Sequence, residues 1–510
     1  MGDYNDSSAS SSLSGDDESE ATYYAEIFQR LLSRYTNNRL PVCYDANSDY
    51  YSGGPPKLKH KPNTMKLDAS DFYYSTKLNT TSTNKRRNLR PVPNTASLLS
   101  NREIGQLPNN HFSRASRCQI YNNYLPNKME KMDTYRDKVF CGQFSKDGKY
   151  FITAAQDKQI RVYKTDGGKY TLFREFQARD IGWSIIDVAF SPNGEEFVYS
   201  TWSTTLHICS VNGDPEKQEP LCLLNSVRRF CTFSLSFSSD GKEIMGGAND
   251  GILYIYDREA KATTVKICAH EFDVNSVAFA DDSSQIIYSG SDDGLIKVWD
   301  RRTWIDENDP KPVGMLAGHM DGITYISSKG DGRHLISNSK DQSIKLWDVR
   351  VFSSDCAAEN TLRAVHSQSW DYRWQGVPKR LYNTKDRLDG DTSVMTYRGH
   401  IITRTLVRCK FSPVETTGQR FIYTGCGGGR LVIYDALTGK IKMDEREHTS
   451  CVRDVSWHPS KNEILTSSWD GSVGRWYYST KETSSEKRKS PFLRRSDRIA
   501  SKKRREQEVK

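Results

Sequence analysis

Short stretches in which apolar and polar residues alternate recur along residues 139 to 478, and most repeats end on an aromatic residue. The residues that end them are Tyr163, Cys209, Tyr256, Trp299, Trp347, Tyr434 and Trp476. They are separated by 46, 47, 43, 48, 87 and 42 positions. Because alternation with a period of two is typical of β-strands, each repeat predicts a small antiparallel sheet. The one long interval equals one repeat plus about forty inserted residues, from Val351 to about Asp391.

Dipeptides at fixed positions accompany these repeats. Gly-His precedes two units, at Gly318-His319 and Gly399-His400, and Ala269-His270 precedes a third. Trp-Asp or Tyr-Asp closes several of them. The combination resembles the WD-repeat β-propeller family, and the resemblance implies an all-β fold of seven blades over residues 139 to 478. Because propellers close by borrowing an outer strand from the far end of the chain, we expect Arg117 to Tyr124 to complete blade 7.

The residues before the repeats divide into segments of different composition. Residues 1 to 21 are rich in Ser and Asp and contain no Lys or Arg, so they are expected to be disordered. Apolar residues at helical spacing predict a helix near residues 22 to 35. Residues 36 to 95 lack periodicity and predict a largely unstructured linker. A second short helix is predicted from Ser97 to Ile104, with Gly105 as its left-handed stop.

The predicted organisation follows from these segments. It consists of an acidic, mostly disordered head (1–95), a segment with a binding helix and the closing strand (96–138), the seven-bladed propeller (139–478) with its insertion (351–391), and a disordered basic tail (479–510).

The net charge of +9 is concentrated in this tail. Residues 481 to 510 contain 12 Lys and Arg against 5 Asp and Glu, a net charge of +7, which leaves +2 for residues 1 to 480. This distribution argues against direct nucleic-acid binding, which needs a clustered basic face. Two clusters in the tail fit a two-part nuclear import signal, and a merely solubilising tail is the alternative. The clusters are Lys487, Arg488 and Lys489, then Lys502, Lys503, Arg504 and Arg505. We therefore expect the protein in the nucleus, with the cytoplasm open as a second location.

Cysteine spacing and hydropathy exclude several functional classes. The 11 cysteines include no C-x-x-C pair and no His spacing that completes a zinc site, so we expect reduced thiols, no metal and no cofactor. No window approaches ~18 consecutive apolar residues, so no membrane segment is predicted. The run from Gly425 to Arg430 leads into a strand, not a helix, and is expected to be a hairpin turn, not a phosphate loop.

A set of four residues recurs in the well-formed repeats. Each set contains a His, a hydroxyl residue, an Asp and a Trp, and a single such set could suggest a catalytic triad. Since a triad occurs once in a protein, recurrence indicates scaffolding in which the Asp receives hydrogen bonds. No other catalytic constellation is present, so we expect a binding protein and not an enzyme. The sets are His270, Ser289, Asp293 and Trp299; His319, Ser337, Asp341 and Trp347; and His448, Thr466, Asp470 and Trp476.

Two adjacent repeats share a longer motif that ends in arginine. Ile287 to Arg302 reads IYSGSDDGLIKVWDRR, and Leu335 to Arg350 reads LISNSKDQSIKLWDVR. The pair resembles the box by which WD-repeat substrate receptors bind the damaged-DNA-binding adaptor of cullin-4 RING ubiquitin ligases. The resemblance implies that both terminal arginines contact the adaptor; ordinary solvated charges are the alternative. The residues that would position them are Trp299, Asp300, Trp347 and Asp348.

The predicted helix before the propeller is similar to the segment that other such receptors insert into a cavity of the adaptor. The residues that this similarity implies are Leu98, Leu99, Arg102, Glu103 and Ile104. A cap on the side of the propeller is the alternative. The insertion contains WDYR at Trp370 to Arg373, but this stretch lacks the upstream strand and turn Asp, and we do not count it as a box.

The order of the parts is similar to that of the cullin-4-associated factor eleven family and its plant late-embryogenesis-type relatives. The resemblance implies a non-catalytic substrate receptor of a cullin-4 RING ligase. Its partners would be the damaged-DNA-binding adaptor, the cullin-4 scaffold and protein substrates. A WD-repeat scaffold in chromatin or RNA-processing complexes, without a ligase role, is the alternative.

The face opposite the adaptor is expected to bind the substrate, and the insertion after Arg350 is expected on the adaptor's side. Trp202 and Trp469 are predicted at turn tips, where exposed Trp favours binding; the alternative is that each folds down and plugs the channel. Arginines near the inner strands would favour an acidic or phosphorylated segment, namely Arg228, Arg229, Arg404 and Arg453. The residues expected to ring the channel are Gln156, Trp202, Asn249, Asp292, Lys340, Gly427 and Trp469.

Overall fold

The computed structural model shows a closed ring of seven four-stranded antiparallel sheets. It describes residues 61–80, 95–105, 112–224, 229–304, 310–382 and 387–480. Each sheet is one blade, and we label its strands a to d from the central channel outward. The predicted seven-bladed propeller is confirmed. The helix predicted near residues 22–35 and the basic tail clusters lie outside the described residues.

The strands of each blade follow one another along the chain. Blades 1 to 3 contain Val139–Phe144, Tyr150–Ala155, Gln159–Lys164 and Thr171–Gln177; Asp187–Phe190, Glu196–Ser200, Thr205–Ser210 and Gln218–Cys222; and Thr232–Phe237, Glu243–Ala248, Ile252–Asp257 and Ala262–Cys268. Blades 4 and 5 contain Val274–Phe279, Ile286–Ser291, Ile296–Asp300 and Gly314–Leu316; and Ile323–Ser328, His334–Ser339, Ser343–Asp348 and Met395–Arg398. Blades 6 and 7 contain Cys409–Phe411, Phe421–Thr424, Arg430–Asp435 and Ile441–Arg446; and Val452–Trp457, Ile464–Ser468, Ser472–Tyr477 and, from the other end of the chain, Lys128–Thr134.

The ring closes through that last pairing. Lys128–Thr134 runs antiparallel to Ser472–Tyr477, with Met129 opposite Trp476. Closure by a strand from the beginning of the propeller region is as expected, but the predicted position was wrong. Arg117 to Tyr124 lies mostly in the helix Arg114–Asn123, which Ser113 caps by accepting a hydrogen bond from the Ser116 N–H at 3.1 Å. A Ser cap of this kind favours a helix over a strand.

The segment predicted as an unstructured linker contains two helices, Met65–Asp68 and Asp71–Thr80. Leu67 and Phe72 are fully buried in a core cluster that also contains residues of blades 5 and 6. The Phe72 ring lies 5.4 Å from the ring of His334. These helices form because tertiary packing stabilises a sequence whose own periodicity is weak. The head therefore contains more helix than the sequence predicts.

The remaining helices are short. The helix predicted at Ser97 to Ile104 is present as Thr95–Glu103, and Gly105 follows it with a φ of 71°, the left-handed stop that was expected. The others are Asp355–His366, Lys379–Tyr382 and Val414–Thr417, with 3-10 turns at Asp166–Gly168 and Arg301–Thr303. None of the helices in the described ranges has the length and apolar character that a membrane crossing requires.

The recurring four-residue sets hold the blades together internally. In blade 5, His319 Nδ1 lies 2.9 Å from Asp341, its Nε2 lies 2.7 Å from Ser337 Oγ, and the Trp347 indole N–H donates to the same hydroxyl at 2.7 Å. Blades 4 and 7 repeat the arrangement, with His–Asp distances of 2.7 and 3.0 Å. Since these side chains are almost entirely buried, the repeated network satisfies polar groups inside each blade and is scaffolding.

A buried ionic network fills part of the central channel. Arg408, just before strand a of blade 6, pairs with Asp187 of blade 2 at 2.7 Å and with Asp454 of blade 7 at 3.2 Å. Lys410 also pairs with Asp454, at 3.0 Å. Burial alone would raise the pKa of Asp454, but Lys410 and Arg408 hold it below its ordinary value. One guanidinium therefore connects blades on opposite sides of the ring.

Both carboxylates of this network also accept backbone hydrogen bonds from neighbouring blades. Asp187 accepts from the Leu235 N–H of blade 3 at 2.8 Å, and Asp454 accepts from the Gly142 N–H of blade 1 at 3.2 Å. The ionic network of blades 2, 6 and 7 is thus hydrogen-bonded to backbone N–H groups in the inner strands of blades 1 and 3.

Replacing Arg408 with Met leaves two buried carboxylates without this cation, so we expect a loss of about 3–5 kcal/mol in the free energy of unfolding. Urea unfolding followed by Trp fluorescence measures the loss. The control, Arg302→Met, removes an exposed arginine and should change stability by about 0.5 kcal/mol or less. Adding Asp187→Asn and Asp454→Asn to Arg408→Met should recover part of the lost stability, because the carboxylates no longer carry a charge. Equal stability of the Arg408→Met and Arg302→Met variants would contradict a stabilising role of Arg408.

Candidate interaction faces

Strand direction gives the propeller two faces with different connections. The c–d face carries the connections from strand c to strand d. Arg302 and Arg350 lie in two of them, each two residues after the end of its strand c. The b–c face carries the turns from strand b to strand c and the connections from one blade to the next. The two arginine boxes therefore lie on one face, in adjacent blades, as predicted.

Each arginine is held by the Asp two positions before it. The Arg302 side chain donates to Asp300 through Nε at 2.9 Å and through a terminal nitrogen at 2.7 Å, and its backbone N–H donates at 3.0 Å. Arg350 makes the same contacts with Asp348 at 3.1 to 3.3 Å. The hydrogen bond from Arg302 lowers the pKa of Asp300. The arginine side chains nevertheless stay 64 and 58% exposed, so both guanidinium groups are oriented and accessible.

The tryptophans of the boxes have a supporting role. Trp299 and Trp347 are buried and donate their indole N–H groups to Ser289 and Ser337. They fix the end of strand c and through it the following Asp. They do not offer a surface to a partner.

Arg350 has a second partner that the sequence did not reveal. Asp71, at the start of the helix Asp71–Thr80, lies 3.0 Å from Arg350 and 2.9 Å from Arg333. Arg333 also pairs with Asp348 at 2.7 Å. Asp71 precedes Arg350 by 279 residues, and no local pattern indicates such a contact.

An apolar surface accompanies the arginines on the c–d face. Val351 directly follows Arg350 and is exposed, as are Phe352 and Val313. A Cβ atom on Gly314 would lie 2.4 Å from the Phe352 ring, so the glycine allows the ring to pack on strand d of blade 4. Apolar side chains flanked by oriented arginines are typical of the centre of a protein interface.

The predicted docking helix presents only part of its apolar face. Leu98 is buried, whereas Leu99 and Ile104 are exposed. Arg102 lies over the Phe112 ring at 5.1 Å. Glu103 is the last residue of this helix. The helix that contacts Arg350 is not this one but Asp71–Thr80.

The insertion does not stay on the c–d face, and our expectation of its position was wrong. It starts there at Val351, but its helix Asp355–His366, capped by Ser354, runs along blade 4 and packs Ala357 and Ala358 in one cluster with that blade's Leu295. At 1.5 Å per residue, twelve residues span ~18 Å, which carries the chain to the b–c face.

Hydrogen bonds fix the insertion on the b–c face. Gln368 donates to the Met320 carbonyl at 2.9 Å, and the Trp370 indole N–H donates to Asp321 at 2.9 Å. The Arg404 N–H donates to the Tyr372 carbonyl at 2.7 Å. Burial raises the pKa of Asp321 to about 6. The insertion is therefore seated across blades 4, 5 and 6.

The WDYR stretch forms a rigid turn at this position. Arg373 donates to Asp371 through its backbone N–H at 2.9 Å and its side chain at 2.8 to 3.2 Å, the arrangement seen at Arg302 and Arg350. Tyr372 lies over the Nζ of Lys340 at 4.3 Å. Trp374 is 82% exposed. WDYR thus has the same local geometry as the ends of the two boxes but lies on the opposite face. Its position agrees with the interpretation that it is not an adaptor-binding box.

The two predicted substrate tryptophans have different environments. Trp202 is 38% exposed, and its neighbour Trp183, which the sequence analysis missed, is 49% exposed. Trp469 is partly buried against Phe140, with a ring distance of 5.5 Å, and the Lys138 Nζ lies 4.5 Å from its ring. Trp202 is therefore exposed at its turn, as predicted, whereas Trp469 matches the alternative in which the ring folds down.

The four arginines predicted to border the substrate surface also differ in their environments. Arg453 is 2% exposed and donates to the carbonyls of Phe140 at 2.6 Å and Ile186 at 3.2 Å, so it is structural and does not border the opening as expected. Arg404 is half-buried under the insertion. Arg229 is exposed, and Arg228 lies outside the described residues.

The predicted ring of turn residues is only partly open. Lys340 is buried, pairs with Asp292 at 2.7 Å and is covered by Tyr372. Gly427 and Trp469 are also packed. Gln156, Asn249 and Asp292 are half-buried, and only Trp202 among the seven is exposed.

Metal binding finds no support in the described ranges, where no group of three or more His, Cys, Asp or Glu side chains is placed to hold an ion.

Comparison with known proteins agrees with this architecture. The family model "WD domain, G-beta repeat" matches residues 129–164, 262–300, 310–348 and 439–476. A DDB1- and CUL4-associated factor 11 homolog of Caenorhabditis elegans is 40% identical over 413 residues, 78% of this chain and 71% of the relative. The LEC14B protein of Lithospermum erythrorhizon is 39% identical over 396 residues, 75% of this chain and 82% of the relative. A LEC14B homolog of Prunus armeniaca is 37% identical over 402 residues, 76 and 82% of the two chains.

Proposed function

The chain belongs to the DDB1- and CUL4-associated factor 11 family, and on that premise we propose that it is a substrate receptor of a CUL4 ubiquitin ligase. It docks on DDB1, the damaged-DNA-binding adaptor, and presents proteins for ubiquitination. The transfer of ubiquitin is the work of other subunits, so the chain itself is a non-catalytic subunit.

One observation carries the proposal. Two guanidinium groups, on Arg302 and Arg350, are oriented by the preceding Asp in adjacent blades and exposed on the same face. Exposed apolar side chains at Val351 and Phe352 adjoin them. Pre-oriented arginines lose little side-chain entropy on binding, and a carboxylate on the partner can pair with each of them. The alternative, a scaffold without a ligase role, gives no reason for two matched arginines on one face.

Replacing both Arg302 and Arg350 with Ala should weaken binding to DDB1 by about 2–5 kcal/mol, because acidic groups of the partner would stay buried without their cations. Surface plasmon resonance with purified DDB1 measures the change. The matched control is Arg373→Ala, which removes an arginine in the same local geometry on the opposite face and should leave DDB1 affinity unchanged. DDB1 binding at full strength in the double variant, or equal losses in both variants, would count against this docking mode.

We propose that the substrate binds on the b–c face, between the insertion and blade 2. The support is the pair of exposed tryptophans, Trp374 on the rigid turn of the insertion and Trp202 on the b–c turn of blade 2, together with exposed Trp183. Trp is among the residue types most enriched at binding hot spots. Arg229 adds an exposed cation that suits an acidic segment.

Trp202→Ala combined with Trp374→Ala should reduce substrate ubiquitination strongly, since each hot-spot tryptophan contributes about 2 kcal/mol or more. Ubiquitin-remnant mass spectrometry in cells that express only the variant gives the readout, and DDB1 co-purification must remain normal. Leu172→Ala, which truncates an exposed apolar residue on the outer strand of blade 1, serves as the control. An unchanged set of chain-dependent ubiquitination sites would place the substrate elsewhere.

We also propose that the tail directs the protein to the nucleus. The support comes from sequence alone: two basic clusters, one at Lys487 to Lys489 and one at Lys502 to Arg505, separated by twelve residues. Changing the basic residues of both clusters to Gln should shift a fluorescent fusion toward the cytoplasm in live-cell imaging. An unchanged distribution would favour the solubilising tail.

A further inference from the structure

A cleft on the c–d face lies between the head helices and blade 6. Its volume is about 480 Å³, and four cationic side chains line it: Lys61, Lys77, Arg420 and Lys440. Asp68 is the acidic residue among its lining groups, and it accepts a hydrogen bond from the Thr64 hydroxyl at 2.9 Å. We call this cavity the basic cleft.

Most of the positive charge in the basic cleft is not neutralised by the protein around it. Arg420 is paired with the buried Asp435 at 3.2 Å. The described residues place no carboxylate oxygen within 4 Å of the Nζ of Lys61, Lys77 or Lys440. Lys77 instead donates to the Tyr73 hydroxyl at 3.2 Å and lies 5.0 Å from the centre of that ring. Three lysines thus line one cavity, and none of them forms an ion pair with a described carboxylate, although Asp68 lines the same cavity.

The walls of the basic cleft are well packed. On the head side, Leu67 and Phe72 are fully buried, and the Lys66 Nζ donates to the Asp391 carbonyl at 3.0 Å. On the blade side, Gly439 has a φ of 68° and a Cβ there would lie 2.8 Å from Pro62, so the c–d turn fits closely against the head. The cavity is therefore formed by packed elements, and the three lysine side chains at its edge are exposed to solvent.

The charge of the cleft has a complement within the same chain. Residues 1 to 21 contain six Asp and Glu and no Lys or Arg, and four of the acids fall between Asp16 and Glu20. Ala21 and Lys61 are forty residues apart, which at ~3.3–3.6 Å per residue allows a span of up to ~140 Å. Two more lysines, Lys57 and Lys59, precede Lys61 in the sequence.

We propose that the basic cleft binds the acidic segment Asp16–Glu20 of the chain's own head. Single exposed ion pairs contribute only ~0.2–1 kcal/mol, but several pairs act together, and the covalent link keeps the segment at an effective concentration in the millimolar range. The contact is ionic and mostly exposed, so added salt weakens it. This inference stands independently of the proposed ligase role.

Zero-length carbodiimide cross-linking of the full chain, followed by mass spectrometry, tests the proposal because it joins only carboxylates and amines in contact. We expect cross-links from Asp16–Glu20 to Lys61, Lys77 or Lys440 at 50 mM NaCl, and at least a fivefold loss at 500 mM. Mixing isotopically labelled and unlabelled chains separates links within one chain from links between chains.

Matched lysine variants provide the control. The triple change Lys61→Gln, Lys77→Gln and Lys440→Gln should abolish these cross-links without lowering the melting temperature. The same change at three exposed lysines on blades 1 to 3 should leave them intact, namely Lys169, Lys217 and Lys266. Cross-links spread evenly over exposed lysines, links only between chains, or links to Lys61, Lys77 and Lys440 that survive 500 mM NaCl would each overturn the proposal.

Discussion

The buried cation of Arg408 is the interaction on which the geometry of the ring depends. Seven inner strands converge on the channel, and their polar groups must find partners there. Asp187 and Asp454 supply acceptors for backbone N–H groups of the neighbouring blades. Arg408 pairs with Asp187 across the channel and with Asp454 in the adjacent blade. Without that cation, Asp187 would lose its buried ion-pair partner, and Asp454 would keep only Lys410. With it, buried ionic side chains occupy part of the channel.

The insertion is the element that relates those faces. It leaves blade 5 one residue after Arg350, follows the side of blade 4 and ends in the turn that exposes Trp374 on the other face. The side chains that fix it there, Gln368 and Trp370, bind the connection between blades 4 and 5. A single segment thus joins Arg350, the proposed docking arginine, to the proposed substrate surface. In the proposed function, packed structure and not a linker would set the distance between a bound adaptor and a bound substrate.

Sequence reasoning succeeded where each repeat stabilises itself. The spacing of the terminal residues and the His, hydroxyl, Asp and Trp sets report contacts inside one blade, so the number of blades and the scaffold role of His319 and Asp341 could be predicted. Arg302 and Arg350 were singled out by their resemblance to the box, and the structure shows that each is oriented by the Asp two positions before it. Their contact with the adaptor stays a prediction.

Features that depend on distant contacts were missed. The closing strand reads KMEKMDT, with four charged residues among seven, because most of it is exposed at the outer edge of blade 7. The helix Asp71–Thr80 is stabilised by Phe72 in the core of blades 5 and 6, and the path of the insertion is set by Leu295 and Asp321, far from its own sequence. In each case the local sequence pattern does not indicate the element, because the residues that stabilise it lie elsewhere in the chain.

The pairing that closes the ring also imposes an order on biosynthesis. About 340 residues separate Thr134 from its partner Ser472. At ~5–20 residues per second, the ribosome needs roughly 20 to 70 s to deliver that partner. A strand that waits so long with unpaired backbone groups could join the wrong chain, and charged side chains are the usual protection of such edges. Lys128, Glu130, Lys131 and Asp133, which weaken the strand signal in the sequence, supply that protection while the nascent chain is still an open arc.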